Sequence, residues 1–182
     1  MPDTVPAQPG YEVLIETASQ KWPLTAWRFA GAGISESFTT LPDWRDVPAL
    51  QHARGPGVYA RQFALETKLP DAHYLLSLGL VQGSAMVKVN GEEVGRASIP
   101  PFIIDISQQL RQGDNLIEVA VLAPLRNYFV GRALADDPKY SHMKDFAGQL
   151  VAAGLMGPVA IAEVLPSADS EAVSPQTIQP QL

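Results

Sequence analysis

Cysteine is absent from the 182 residues, which removes disulfides, thiolate nucleophiles and zinc–thiolate centres and leaves the redox compartment unwritten in the sequence. Histidine occurs three times, as His52, His73 and His142, each far from the others in sequence. That is too sparse for a His-rich metal site, and no metal ligands are assigned. Basic residues form no run and the formal net charge is −6, so the electrostatic footprint of a nucleic-acid binder is missing, and anionic membranes are equally poor partners. No apolar stretch approaches the roughly 20 residues of a membrane-spanning helix. The opening "MPDTVPAQPG" lacks the charged start and apolar run of a signal peptide, so the expectation is a soluble chain without a visible address. No D-x-D-x-D-G-type loop is present; a calcium ion held by backbone carbonyls would leave no motif, and no cofactor is expected.

What the sequence does contain is alternation. In "VKVNGEEVG", Val87 and Val89 flank Lys88 with the period of a half-buried strand, and Asn90-Gly91 suits the positive φ angles of a tight hairpin turn. Similar short runs recur, separated by Gly, Pro, Asn and Asp: "YEVLIET" from Tyr11, "VYARQFALE" from Val58, "HYLLSLGLV" from His73, "SAMVKVN" from Ser84, "FIIDI" from Phe102, "LIEVAVLA" from Leu116 and "GPVAIAEVL" from Gly157. In "LIEVAVLA" the residues Ile117, Val119, Val121 and Ala123 oppose Leu116, Glu118, Ala120 and Leu122. Many short strands with little helix between them predict an all-β sandwich over residues 11–165. Phe63, Leu76, Leu78, Val87, Val89, Ile104, Val119 and Val121 are expected in its core. Residues 1–10 and the Pro-, Ser- and Gln-rich 166–182 are expected to be disordered. One helix is expected inside the long connection from about Pro124 to Met156. There Met143, Phe146, Ala147, Leu150 and Val151 recur with helical spacing between Ser141 as N-cap and Gly154 as stop, which would rest Phe146 and Leu150 on one end of the sandwich.

Three motifs bear on chemistry. "GPGVYA" matches G-x-G-x-x-[GA], but a strand rather than a phosphate-binding helix follows it, so its glycines read as a turn. A glycosidase needs two convergent carboxylates. The candidates are Asp43 and Asp46, Glu92 and Glu93, Asp105, and Asp136 with Asp137; the Glu pair belongs to a solvated turn, and Asp105 is placed to bond backbone amides of the turn after it. No catalytic residue is assigned. Aromatic side chains in the long connection point elsewhere. Carbohydrate sites set flat rings against the C–H face of a sugar and add a few polar groups, and Arg126, Asn127, Tyr128, Tyr140 and His142 supply both. Packing competes with recognition for these tyrosines, and the tryptophans Trp22, Trp27 and Trp44 are expected in the core.

Read in order, "GPGVYARQFAL", "LLSLGLVQGSAMVKVNGEEVG", "PPFIIDISQQLRQGDNLIEVAV" and "GLMGPVAI" resemble the sugar-binding-like sandwich of glycoside hydrolase family 2. The "GLMGPV" segment, the long insertion after "LRN" and the "LPDW" before "GPGVY" resemble more closely the C-terminal module of family 106 α-L-rhamnosidases. The likeness runs from Leu41 to Val164. It implies a galactose-binding-domain-like jelly-roll β-sandwich that carries no catalytic residues, since in such enzymes these sit on a separate barrel domain. The expected function is a non-catalytic carbohydrate-binding module of a glycoside hydrolase. The alternative is a structural module that braces the catalytic domain without touching sugar. The expected partners are accordingly carbohydrate, a catalytic domain, or both.

Overall fold

The computed structural model describes residues 11–166, so the two expected disordered ends lie outside the described residues, Pro166 excepted. Among the described residues, twelve strands and two α-helices follow one another. The strands are β1 (Gln20–Leu24), β2 (Trp27–Gly31), β3 (Ile34–Phe38), β4 (Gly57–Leu65), β5 (His73–Ser77), β6 (Leu80–Gln82), β7 (Ser84–Val89), β8 (Glu92–Ala97), β9 (Ile103–Asp105), β10 (Gly113–Leu122), β11 (Gly154–Gly157) and β12 (Val159–Val164). The helices are α1 (Tyr11–Glu16) and α2 (Leu125–Leu134). A six-stranded sheet runs β3-β2-β4-β10-β7-β8 and a four-stranded sheet β1-β12-β5-β9, with β11 and β6 pairing as a short ribbon. Every pairing between these strands is antiparallel, as an all-β sandwich requires.

One buried cluster holds the two sheets together. It joins Tyr59, Val87, Val89, Ile117, Val119 and Val121 of the larger sheet to Leu24, Tyr74, Leu76, Ile104 and Ile161 of the smaller. The inward set of β10 is the one its alternation dictates: Ile117, Val119 and Val121 are fully buried while Leu122 is exposed. Each such valine or isoleucine contributes about 1.5–3 kcal/mol by leaving water. Of the expected core, Phe63 and Trp22 are only half-buried; their rings meet edge-on at 6.0 Å. Trp27 and Trp44 are buried.

The hairpin of β7 and β8 forms as its sequence demands, with Asn90 at φ 54° and Gly91 at φ 88°. Asn90 also reaches out of the turn. Its side-chain amide donates to Asn115 Oδ1 at 2.9 Å and to the Gln109 carbonyl at 2.8 Å, and accepts from the Leu116 amide at 3.0 Å. "VNG" and "GDN" are therefore two halves of one hydrogen-bonded corner. Asp105 orders its turn as expected, accepting from the backbone amide of Ser107 at 2.9 Å.

Three stretches depart from the sequence-based expectation. "YEVLIET" is a helix, not a strand: the sheet edge it would need is taken by β1, which pairs with β12. Helix α1 instead brings Ile15 against Leu75, Ile103 and Val164 on the outer face of the smaller sheet. Strands β1 to β3 were not anticipated, although "WRFAGAGIS" carries their signal: Trp27 and Phe29 are buried between exposed Arg28 and Ala30, with Ala32 and Gly33 turning at positive φ. The helix of the long connection lies earlier than expected, over Leu125–Leu134, and its buried face is Asn127, Val130 and Ala133. Apolar periodicity does not register a face that begins with asparagine. Pro138–Phe146 is 3₁₀ helix with no buried residue, and Gly154 opens strand β11 instead of ending a helix.

Candidate functional site

The connection from β10 to β11 is fastened to the sandwich at both ends. At its return, the Trp44 amide donates to the Ala153 carbonyl at 2.9 Å, and the Trp44 indole donates to the Tyr59 hydroxyl at 2.6 Å. The same hydroxyl accepts from the Leu155 amide at 3.4 Å. Burial raises the Tyr59 pKa above the ordinary phenol value, against the lowering effect of those two hydrogen bonds, so the ring stays protonated. Asp43 caps the 3₁₀ turn Trp44–Asp46 by accepting from the Arg45 amide. Burial pushes the Asp43 carboxyl up, but the Arg45 guanidinium, the Arg45 amide and the Ala153 amide together outweigh it and hold the group below its usual range.

Within the connection, Asn127 behaves as a piece of backbone. Its Nδ2 donates to the Val151 carbonyl at 2.7 Å and its Oδ1 accepts from the Val151 amide at 2.9 Å, while its own carbonyl oxygen lies 3.0 Å from His52 Nδ1. Asn127 is 1% exposed, so its amide braces the connection instead of offering itself to a ligand. Asn127→Ala is expected to lower unfolding free energy by about 2 kcal/mol, since both Val151 groups lose their partner. Urea denaturation checks this, and an unchanged midpoint would remove the bracing role.

The other candidate residues are distributed over the outside. Phe129 lies between the two tyrosines, tilted against Tyr128 at 5.7 Å and stacked on Tyr140 at 4.9 Å and 13°. The Lys139 ammonium is 5.3 Å from the Tyr140 centroid. Arg126 is turned the other way, its guanidinium 4.8 Å over the ring of Phe146, so Phe146 packs on α2 and not on the sandwich end as its spacing implied. His142 is exposed. The geometry thus gathers Tyr128 and Tyr140 around Phe129 and leaves Arg126 with Phe146.

Four of the candidate carboxylates are each held by a cationic neighbour. Asp136 pairs with Lys144 at 2.8 Å, Asp137 with Arg132 at 2.7 Å, Asp43 with Arg45 at 2.6 Å and Glu93 with Arg96 at 2.7 Å. Among the described residues no three His, Asp or Glu side chains converge as a metal site would require, and no helix is long and apolar enough to cross a membrane. A carboxylate that sequence reading passed over is Glu163 on β12, 6% exposed. It accepts from the Ser19 and Tyr74 hydroxyls, each at 2.9 Å.

No protein-family model and no curated protein matches the sequence. Solved structures do. A rhamnosidase from Novosphingobium sp. PP1Y superposes with a TM-score of 0.68 and 28% identity over 80% of this chain and 15% of its own. An FMN-binding β-glucuronidase from Facaelibacterium prausnitzii L2-6 gives 0.59 and 22% over 80% of this chain and 22% of its own. The Bifidobacterium dentium β-glucuronidase complexed with coumarin-3-O-glucuronide gives 0.54 and 20% over 81% and 30%. These neighbours are glycoside hydrolases, and the chain spans less than a third of the length of each. The glucuronidase likeness speaks to the sandwich fold alone.

Proposed function

We propose that this chain is a non-catalytic accessory β-sandwich of a glycoside hydrolase with rhamnosidase-like architecture, and that the β10–β11 connection is its contact surface toward the catalytic domain. The observation that carries the reading is how the connection distributes its apolar groups. Its aromatic rings pack on one another, Phe129 on Tyr140 above all, whereas Leu125, Leu134 and Phe146 remain exposed. Rings in mutual contact offer little face to a sugar, while a run of exposed large apolar side chains on a fastened segment suits a protein neighbour. Carbohydrate contact at Arg126, Tyr128, Tyr140 and His142 is the second reading, favoured by the partial exposure of the first three and the exposed position of His142.

The two readings separate in one titration. Amide NMR spectra of the labelled chain are expected to shift at Leu125, Leu134 and Phe146 when a rhamnosidase catalytic barrel is added in trans, and to stay unmoved there with L-rhamnose alone. Shifts at Tyr128 and Tyr140 with millimolar rhamnose would favour the carbohydrate reading. The chain itself is expected not to turn over aryl glycosides, because Asp136 and Asp137 of the connection are held in ion pairs with Lys144 and Arg132. Turnover abolished by Asp136→Ala or Asp137→Ala would overturn the non-catalytic assignment.

A further inference from the structure

A second concavity lies away from the connection, at the mouth of the sandwich where β1 and β12 face the segment leaving β4. It encloses about 350 Å³, and Gln20, Trp22, Glu163, Glu66, Thr67 and Leu69 belong to its wall. The register explains the arrangement. Gln20 is the cross-strand neighbour of Glu163, and Trp22 is that of Ile161, so the amide, the carboxylate and the indole share the inward face of the smaller sheet. A buried carboxylate in that position needs donors. It has two, the hydroxyls of Ser19 and Tyr74. The Tyr74 hydroxyl itself accepts from the Leu69 amide at 2.9 Å. Burial foremost, with the Glu163 carboxylate adding to it, keeps Tyr74 protonated above the ordinary phenol range. Glu163 is therefore oriented by two neutral donors, and among the described residues it makes no ion pair. Each carboxylate oxygen keeps a lone pair beyond the one already engaged.

We propose that this mouth is a binding site for one neutral, hydroxyl-rich sugar unit. Glu163 would accept ligand hydroxyls, Gln20 and Thr67 would both donate and accept, and the apolar wall would be Leu69 with the part of half-buried Trp22 that its stacking on Tyr74 at 6.3 Å leaves open. The wall's composition selects the class. Glu66 and Glu163 contribute negative charge and no lysine or arginine lines the cavity; Lys68 is turned away, its ammonium bonded to the carbonyls of Ser107 and Leu110. An anionic ligand such as a uronic acid would meet uncompensated carboxylates. A simple ammonium ion offers donors but no acceptors, leaving the Gln20 amide and Thr67 hydroxyl donors unmatched, whereas every sugar hydroxyl does both. The volume falls within the range of pockets that take small polar ligands. The inference rests on the accessory-module reading only for the choice of sugars as probes.

The test uses the labelled full chain titrated separately with methyl α-L-rhamnoside, methyl α-D-glucoside, D-glucuronate and methylammonium. At least one neutral glycoside is expected to shift the Gln20 and Thr67 amides and the Trp22 indole N–H saturably at millimolar concentration, with glucuronate about tenfold weaker or silent. Gln20→Ala and Thr67→Val, both at exposed positions, are each expected to weaken binding about fivefold by loss of a hydrogen bond with the melting temperature unchanged. Glu163→Gln tests the carboxylate, and unaltered affinity in that variant would overturn its role as acceptor. Methylammonium or glucuronate shifting these signals in place of the neutral glycosides would overturn the sugar assignment, and silence from all four probes would overturn the site. Failure here with the barrel still shifting Leu125, Leu134 and Phe146 leaves the accessory-module reading intact. Failure of the barrel with the glycoside still shifting Gln20 does the reverse.

Discussion

Val89→Asp is expected to leave the chain unfolded or close to it under conditions in which the parent is native. Val89 is fully buried. It pairs with Ile117 on one side and Glu92 on the other, and its side chain enters the cluster shared by both sheets. Aspartate there loses about 2 kcal/mol of apolar burial and places a carboxylate among aliphatic neighbours, which adds several more. Against a total stability of about 5–15 kcal/mol, a loss near 5 kcal/mol removes most of it. Circular dichroism with urea denaturation measures the effect. The control is Lys88→Gln, one residue away on the opposite face, which is expected to change stability by no more than about 0.5 kcal/mol. Equal loss in both variants, or in neither, would mean that the burial alternation of β7 is reversed or unimportant.

That experiment probes the part of the molecule most legible in the sequence. Strands β4, β7 and β10 could be read because each carries one buried and one wetted face, and period-2 patterning is the direct imprint of that geometry. Asn90 illustrates how far local reading goes. The dipeptide Asn90-Gly91 announces the turn, but nothing in it says that the same asparagine bonds Asn115 in a strand that follows much later in the chain. What could not be read was set by competition for space. Tyr11 to Glu16 carries the aromatic and β-branched residues of a strand yet is helical, because β1 holds the edge beside β12 and the sheet's outer face offers Leu75, Ile103 and Val164 to Ile15 of the helix.

The candidate site was legible as a region and not as a set of contacts. The length of the connection and its aromatic content marked residues 124–156, and the structure places Tyr128 and Tyr140 there around Phe129. The individual roles depended on side-chain directions that sequence does not carry. Asn127 sits beside Tyr128 in the chain but turns inward to Val151, and Phe146 answers to Arg126. Glu163 escaped notice for a related reason. It occupies an inward position in an apolar strand, and its partners Ser19 and Tyr74 are distant in sequence, so only the fold reveals a buried, hydroxyl-held carboxylate.

Gly154→Ala is the second large effect expected, and it tests the fastening of the connection where Gly154 leads it back into β11. Gly154 is buried and has φ +106°, a conformation that costs a residue with a Cβ about 1–3 kcal/mol. Its Cβ would also be driven into Cδ1 and Nε1 of the Trp44 indole. Trp44 has little room to yield: it is 1% exposed, meets Phe29 edge-on at 6.2 Å and donates its N–H to Tyr59. Forcing a methyl into such packing adds about 1–3 kcal/mol, so the combined loss is near 4 kcal/mol, and the strain falls on the contact that ties the connection to the core. The expected signature is specific. The indole N–H signal of Trp44 and the amide signals of Leu155 and Tyr59 change first, and limited proteolysis cuts within residues 136–152 faster than in the parent. Gly148→Ala is the matched control, because a Cβ at Gly148 meets nothing within 4 Å, and it should be nearly silent. A Gly154→Ala chain with the parent's stability and protease resistance would show that the connection does not depend on the Trp44 contact for its position.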